Sequence, residues 1–277
     1  MAKHIGKFDE TIGYNKEDID TEFYSTHKHI LDQKRGGGYW LWKSYFIFIT
    51  LKSLDDGDYL FYNDSGSFFL SNVNNLINEF EKYDQDIMGF ELPLLEKQWT
   101  KKELLINMEC NADYYTESNQ ILSGYQLVRK TCFSMEFYRE YLNLSTNPVN
   151  LDDTCDKDIK QDSTFIEHRH DQSIFSLLYK KYKLRPFNDP SQYGKYPKLY
   201  SASKEINLKP NKLYALTSGR LFRYYEYKEP YGIVIYANRN NHPLLHFLKF
   251  KAKLVLHFFG IYDGLSYKKQ HCRTQKK

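Results

Sequence analysis

The sequence predicts an α/β protein, with a mainly parallel sheet covered by helices on both faces and a separate basic helix near the C-terminal end. Three observations predict it. Short apolar runs at 59–62, 87–92 and 121–129 alternate with segments whose apolar residues recur at helical spacing. The run Tyr59–Tyr62 is of buried-strand type, and strands that alternate with helices indicate a mainly parallel sheet covered on both faces. Charge is also unevenly divided. The 277-residue chain carries +4, yet residues 239–277 hold nine Lys or Arg against Asp263 alone, a net +8, so residues 1–238 sum to −4. The expected division is therefore a body, 1–238, and a basic tail, 239–277.

In chain order, residues 1–35 are polar and allow only a weak strand near Phe8–Tyr14 and a weak helix over Lys16–Leu31. Gly36-Gly37-Gly38 breaks the chain before a long aromatic-rich helix, Tyr39 to Leu54. The turn Asp55-Asp56-Gly57-Asp58 leads into the buried strand Tyr59–Tyr62, closed by Asn63-Asp64-Ser65-Gly66. Ser71 has the chemistry of an N-cap for a helix with Val73, Leu76, Ile77 and Phe80 on one face. A strand at Ile87–Leu92 precedes Thr100-Lys-Lys-Glu103, a capping-box pattern opening a helix through Met108. Another strand, Ile121–Arg129, is interrupted at Gly124. Ser134 is expected to cap a helix to about Leu144, and Asp171 one carrying Ile174, Leu177, Leu178 and Tyr182.

Composition excludes several classes. Hydrophobic residues make up 41%, enough for a sizeable core, so disorder is excluded. Four widely spaced cysteines, Cys110, Cys132, Cys155 and Cys272, form neither a zinc pattern nor a disulfide framework and fit a reducing compartment. No apolar leader and no run of membrane-spanning length is present, so the expectation is a cytoplasmic protein. The acidic body argues against nucleic acid as a partner. Tyrosine accounts for 25 residues, which suits a wet, ring-lined cleft or a mere compositional habit.

Four clusters carry chemistry. Asp64 follows a buried strand, where a carboxylate can hold a divalent cation on a diphosphate and Ser65-Gly66 admits a ligand close to the backbone. An Asx-type turn explains it equally well. The run Glu167-His168-Arg169-His170-Asp171-Gln172-Ser173 crowds bases, an acid and an amide onto a helix N-terminus. Such a site favours anions, with Arg169 suited to phosphate and Asp171 to general-base or sugar-orienting work. Gly36-Gly37-Gly38 with Trp40, Trp42 and Lys43 reads as a phosphate-admitting turn with a stacking ring and a neutralising charge, or as a buried helix with core tryptophans. Glu96 to Thr100, with Trp99, has the residue types that hold a sugar, and Ser123-Gly124 suggests close backbone approach. GxGxxG and P-loop patterns are absent.

Taken in order, Gly38-Tyr-Trp-Leu-Trp-Lys43, Gly57-Asp-Tyr-Leu-Phe-Tyr-Asn-Asp-Ser-Gly66, Trp99-Thr-Lys, Ser123-Gly124 and His168-Arg-His-Asp-Gln-Ser173 resemble bacterial and viral capsule or lipopolysaccharide glycosyltransferases of the GT-A fold. The similarity spans roughly residues 30–190. It implies a sugar-nucleotide donor and a glycan or lipid-linked glycan acceptor. Asp64 stands at the family's metal-ligand position, for Mn2+ or Mg2+. Lys43, Trp40, Ser65, Gly66, Ser123, Gly124, Arg169 and Gln172 fall on the donor side, Asp171 and His170 at the catalytic centre, and Glu96 and Trp99 on the acceptor side. The chain departs from the pattern in three ways. One acid, not two, occupies the metal motif, Ser44 replaces a proline, and the first βα unit of a GT-A fold is degenerate or missing. A glycan-binding relative without catalysis is the alternative.

In the tail, Pro243 suits a first helical position and Leu244–Phe259 reads as amphipathic. His246, Lys249, Lys253 and His257 share one stripe, and Lys268, Lys269, Arg273, Lys276 and Lys277 follow. That pattern suits an anionic membrane surface.

Overall fold

The computed structural model describes residues 1–201, 208–227, 230–238 and 243–262. The 268–277 cations and Cys272 lie outside the described residues. Helix α1 (Leu41–Ser53) leads into strands β1 (Tyr59–Asn63) and β2 (Ser67–Phe69) and helix α2 (Asn74–Phe80). Strand β3 (Ile87–Leu95), helix α3 (Lys102–Asn107), strand β4 (Asn119–Arg129) and helix α4 (Cys132–Ser145) follow. Helix α5 (Asp171–Lys181), short strands β5 (Tyr214–Ala215), β6 (Leu221–Phe222) and β7 (Ile235–Ala237), and helix α6 (Pro243–Phe258) come next, with shorter helical segments between these elements.

The fold is mixed α/β, but the expected parallel sheet is not what forms. A five-stranded sheet runs β1-β4-β3-β6-β5 and a two-stranded one pairs β2 with β7. Every ladder between these strands is antiparallel. Among the described residues, parallel pairing is limited to isolated bridges such as Phe90 to Phe187. The misreading has a physical origin. Neighbouring residues of β3 and β4 face opposite cores, Ile87 and Val128 one, Met88 and Leu127 the other. Helices α1, α4 and α5 cover the first side, while α2, Phe69 and Ile235 cover the second. Cover on both faces removes the polar alternation whichever way strands run.

Local chemistry explains several shifted boundaries. Residues 8–14 form no strand, and Lys16–Leu31 is divided into three short helical pieces. The long helix starts at Leu41 because Gly36 to Trp40 all have positive φ. The cap of α4 is Thr131, whose side chain accepts the Ser134 N–H. The expected capping box of α3 does not form, since Thr100 donates to Glu96 while Glu103 accepts from Asp156 and Gln161. Strand β4 continues through Gly124, but its register against β3 slips. Met88 faces Leu127 while Phe90 faces Leu122, so β4 bows out over 123–126. The Gln126 amide donates to the Ser123 carbonyl at 2.9 Å across this bow, and Tyr138 holds Gln126 at 2.6 Å. Bulges of this kind commonly re-aim side chains beside functional sites.

Candidate active site

The bow in β4 forms one wall of a cleft of about 820 Å³. Strand β1 ends beside it, and the Asp64 N–H donates to the Gly124 carbonyl at 2.9 Å. Period-2 geometry places Tyr62 and Asp64 on one side of the chain, and the Tyr62 hydroxyl donates to Asp64 Oδ1 at 2.7 Å. A side chain at Gly124 would put its Cβ 3.1 Å from Asp64 Oδ2, so the glycine makes room for this carboxylate. Asp64 Oδ2 accepts no hydrogen bond from the described residues, and the side chain is 29% exposed.

Opposite Asp64, α5 presents Asp171 and α1 presents Lys43. The Lys43 ammonium, 3% exposed, lies 2.8 Å from Asp171 Oδ2, 3.1 Å from Ser123 Oγ and 3.6 Å from Asp64 Oδ1. Burial pulls the lysine pKa down, but the Asp171 and Asp64 carboxylates more than offset it, and the group stands above its usual value. It is within hydrogen-bond distance of Ser123 and Asp171 and stands at ion-pair distance from Asp64, so it ties the two carboxylates together. Asp171 Oδ2 also accepts from Ser123 Oγ at 2.8 Å and the Tyr141 hydroxyl at 3.3 Å. Asp171 is thus the first residue of α5, not its cap; His170 holds the cap position without capping through its side chain.

His170 is buried, with φ 51, and its ring meets those of Tyr39 and Trp40 at 5.2 and 5.1 Å. Its Nδ1 lies 2.8 Å from the Leu151 carbonyl, an acceptor, so Nδ1 carries the proton and Nε2 the lone pair. Nε2 has no hydrogen-bond partner among the described residues, and Asp153 Oδ1 stands 3.6 Å away. Burial lowers the His170 pKa, and it lowers that of fully enclosed His168 further. His168 lies between the Lys101 N–H and the Asn150 carbonyl, a structural position.

The cleft gathers most of the expected residues. Trp40, Lys43, Asp64, Ser65, Gly66 and Ser123 line it, as do Gly124, Arg169, His170, Asp171 and Gln172. Gln172 is anchored to β4 by a 2.7 Å bond to Gln120. Glu96 and Trp99 are not brought there. Glu96 is fully buried and accepts from Lys180 at 2.6 Å, Ser176 at 2.5 Å and Gln120 at 3.1 Å, so it has no surface to offer an acceptor sugar. Trp99 is 1% exposed beneath the Arg169 guanidinium, 4.4 Å from its ring centroid. Sequence reasoning missed Arg35 and Tyr62. Arg35 shares the rim with Arg169, and each contacts Glu167, at 3.4 and 2.9 Å. Tyr62 was legible from its place two residues before Asp64. Among the described residues no three His, Cys, Asp or Glu side chains are placed to hold a metal ion by themselves.

No protein-family model matches this chain, and no curated protein sequence matches it. Among solved structures it is similar to mouse xyloside xylosyltransferase 1 in its apo form, at 12% identity and a TM-score of 0.39. That similarity covers 73% of this chain and 65% of the mouse chain, so this protein spans about two thirds of that neighbour.

Proposed function

We propose that this protein is a glycosyltransferase that moves a sugar from a nucleoside-diphosphate sugar to a hydroxyl of a glycan or lipid-linked glycan in surface polysaccharide synthesis. The observation that carries the reading is the cleft floor, where Asp64 and Asp171 flank one buried ammonium beneath an arginine-bearing rim. A volume of about 820 Å³ suits a ligand of sugar-nucleotide size. Arg35 and Arg169 have the fork geometry that pairs with phosphate oxygens, and Trp40 offers a ring face for the base or sugar.

Asp64 fits a divalent cation, Mn2+ or Mg2+, because Oδ2 is unengaged and such ions need only one or two carboxylates beside the phosphates. When bound, the cation would neutralise charge on the departing diphosphate. Asp171 is suited to take the proton, since Lys43, Ser123 and Tyr141 all hold Oδ2 while Oδ1 accepts from none of the described residues. His170 is enclosed beside it and shapes the wall of the cleft. Its Nε2 lone pair is unpartnered, and its lowered pKa keeps it neutral. The acceptor hydroxyl bonds to the anomeric carbon, the bond from that carbon to the phosphate oxygen breaks with its electron pair on the nucleoside diphosphate, and the hydroxyl proton passes to the Asp171 carboxylate.

The test is a screen of nucleotide sugars for hydrolysis and transfer, with and without Mn2+, alongside thermal stabilisation by nucleoside diphosphates. Asp64→Ala is expected to weaken nucleotide binding and remove its metal dependence. A protein that no nucleoside diphosphate stabilises would refute the reading, and stabilisation without turnover would leave a glycan-binding relative.

A further inference from the structure

We infer that helix α6 docks the protein onto an anionic bilayer surface, with the cleft mouth beside the headgroups. The helix has an inner and an outer face. Phe247, Phe250 and Leu254 pack inward, with ring contacts of 5.7 Å to Phe68, 5.4 Å to Tyr236 and 6.0 Å to Tyr196. At 100° per residue the opposite arc carries Leu245, Leu248, Val255, Leu256 and Phe259, all exposed, with Leu248 at 63% and Phe259 at 68%. Phe258 and Ile261 extend this surface at 84% and 73%. Lys251 flanks the arc on one side, Lys249 and Lys253 on the other, and all three are exposed.

This corrects the expected stripe. His246 and His257 are only half-exposed, and the His257 ring turns toward Tyr196 of the body, 6.4 Å between ring centroids. What faces outward is an apolar band between lysines, the pattern of a helix lying in a membrane interface. Its 16 residues span about 24 Å, short of the roughly 30 Å hydrocarbon core, and no described helix is long and apolar enough to cross a membrane.

Charge selects the occupant. The sequence after the helix, 263–277, adds five Lys or Arg and one Asp. A second copy packed on the same face would set lysines against lysines. Anionic lipid instead meets both the apolar band and its cationic borders. Phe68 links this surface to the site, since it lines the cleft and packs on Phe247 of α6. A docked helix therefore brings the Ser67–Phe68 wall to within about one helix diameter, ~10 Å, of the headgroups.

The test is co-sedimentation of the full chain with phosphatidylcholine vesicles, with and without phosphatidylserine, at low and high salt. Salt-sensitive binding to the phosphatidylserine vesicles is expected. Leu248→Glu with Phe259→Glu, and separately Lys249→Glu, Lys251→Glu and Lys253→Glu together, should each weaken it at least tenfold without changing the melting temperature. A wild-type protein that ignores phosphatidylserine vesicles at low salt overturns the inference. So does binding that the leucine and phenylalanine changes leave intact, or a dimer in light scattering that those changes split. The vesicle readout needs no donor. Binding without sugar transfer supports docking while defeating the proposed activity.

Discussion

Replacing Lys43 by Met separates the charge on this residue from its packing. The two side chains have similar length, so the helix α1 register and surrounding volume are kept while the ammonium is lost. Asp171 then loses its cationic partner at 4% side-chain exposure, keeping only the Ser123 and Tyr141 hydroxyls. Removing one partner of a buried pair typically costs about 3–5 kcal/mol, because the remaining charge stays desolvated. Asp64 loses a second, longer contact at 3.6 Å, but it is 29% exposed and water compensates. The expected loss is therefore set by Asp171, about 3–5 kcal/mol, or a melting shift on the order of 10 °C. Urea denaturation of wild type, Lys43→Met, Asp171→Asn and the double variant forms a cycle. The double variant should lose clearly less than the two singles combined, since each single change leaves the other partner stranded. A Lys43→Met protein within about 1 kcal/mol of wild type, or additive losses, would refute the idea that this ammonium organises the cleft floor.

Acid should destabilise the protein through its buried histidines. His168 and His170 have pKa values lowered by burial, so below the unfolded value near 6.5 the unfolded chain binds more protons and stability falls as pH falls. Stability is fully present above about pH 6.5 and is lost progressively as pH falls below it, with His168 the larger contributor. His168→Gln should flatten the decline between pH 7 and 5.5 in urea titrations, and an unchanged slope would exclude this origin. Glu96→Gln should cost about 3–5 kcal/mol by stranding Lys180, yet leave nucleotide affinity unchanged in the folded protein. A variant that melts normally but binds acceptor glycan poorly would restore the surface role that its residue types suggested.

Much of the cleft was legible because its residues sit where chain direction changes. Asp64 follows a strand, Asp171 opens a helix, and Gly124 interrupts an apolar run, each visible as a break in periodicity. Strand direction was not legible, since covering both faces of β3 and β4 erases the alternation that marks most antiparallel sheets. The partners of Lys43 were also hidden. Residues 43, 64, 123 and 171 meet only through the bow of β4, and a register slip leaves no mark in residue type beyond one glycine. Glu96 misled for a related reason. A carboxylate beside a tryptophan suggests sugar contact, and nothing local reveals that Ser176 and Lys180 arrive from 80 or more residues away to enclose it.

The left-handed turn before α1 has a consequence for how the protein opens. Tyr39, Trp40 and His170 are non-glycine residues at φ 49, 63 and 51, and they meet ring against ring at the cleft edge. Such conformations cost on the order of 1–3 kcal/mol each and persist only where surrounding packing enforces them. Gly38 shares the constraint, since a Cβ there would lie 2.7 Å from the Leu31 Cα. Strain gathered at one edge lowers the free energy of local opening there relative to the doubly covered strands. In native-state amide exchange, the backbone over 36–40 and 169–171 should therefore lose protection well before that of β4, and a bound donor should slow it selectively. The rim would then act as the hinge of the molecule's smallest cooperative unit, breathing independently of the sheet behind it.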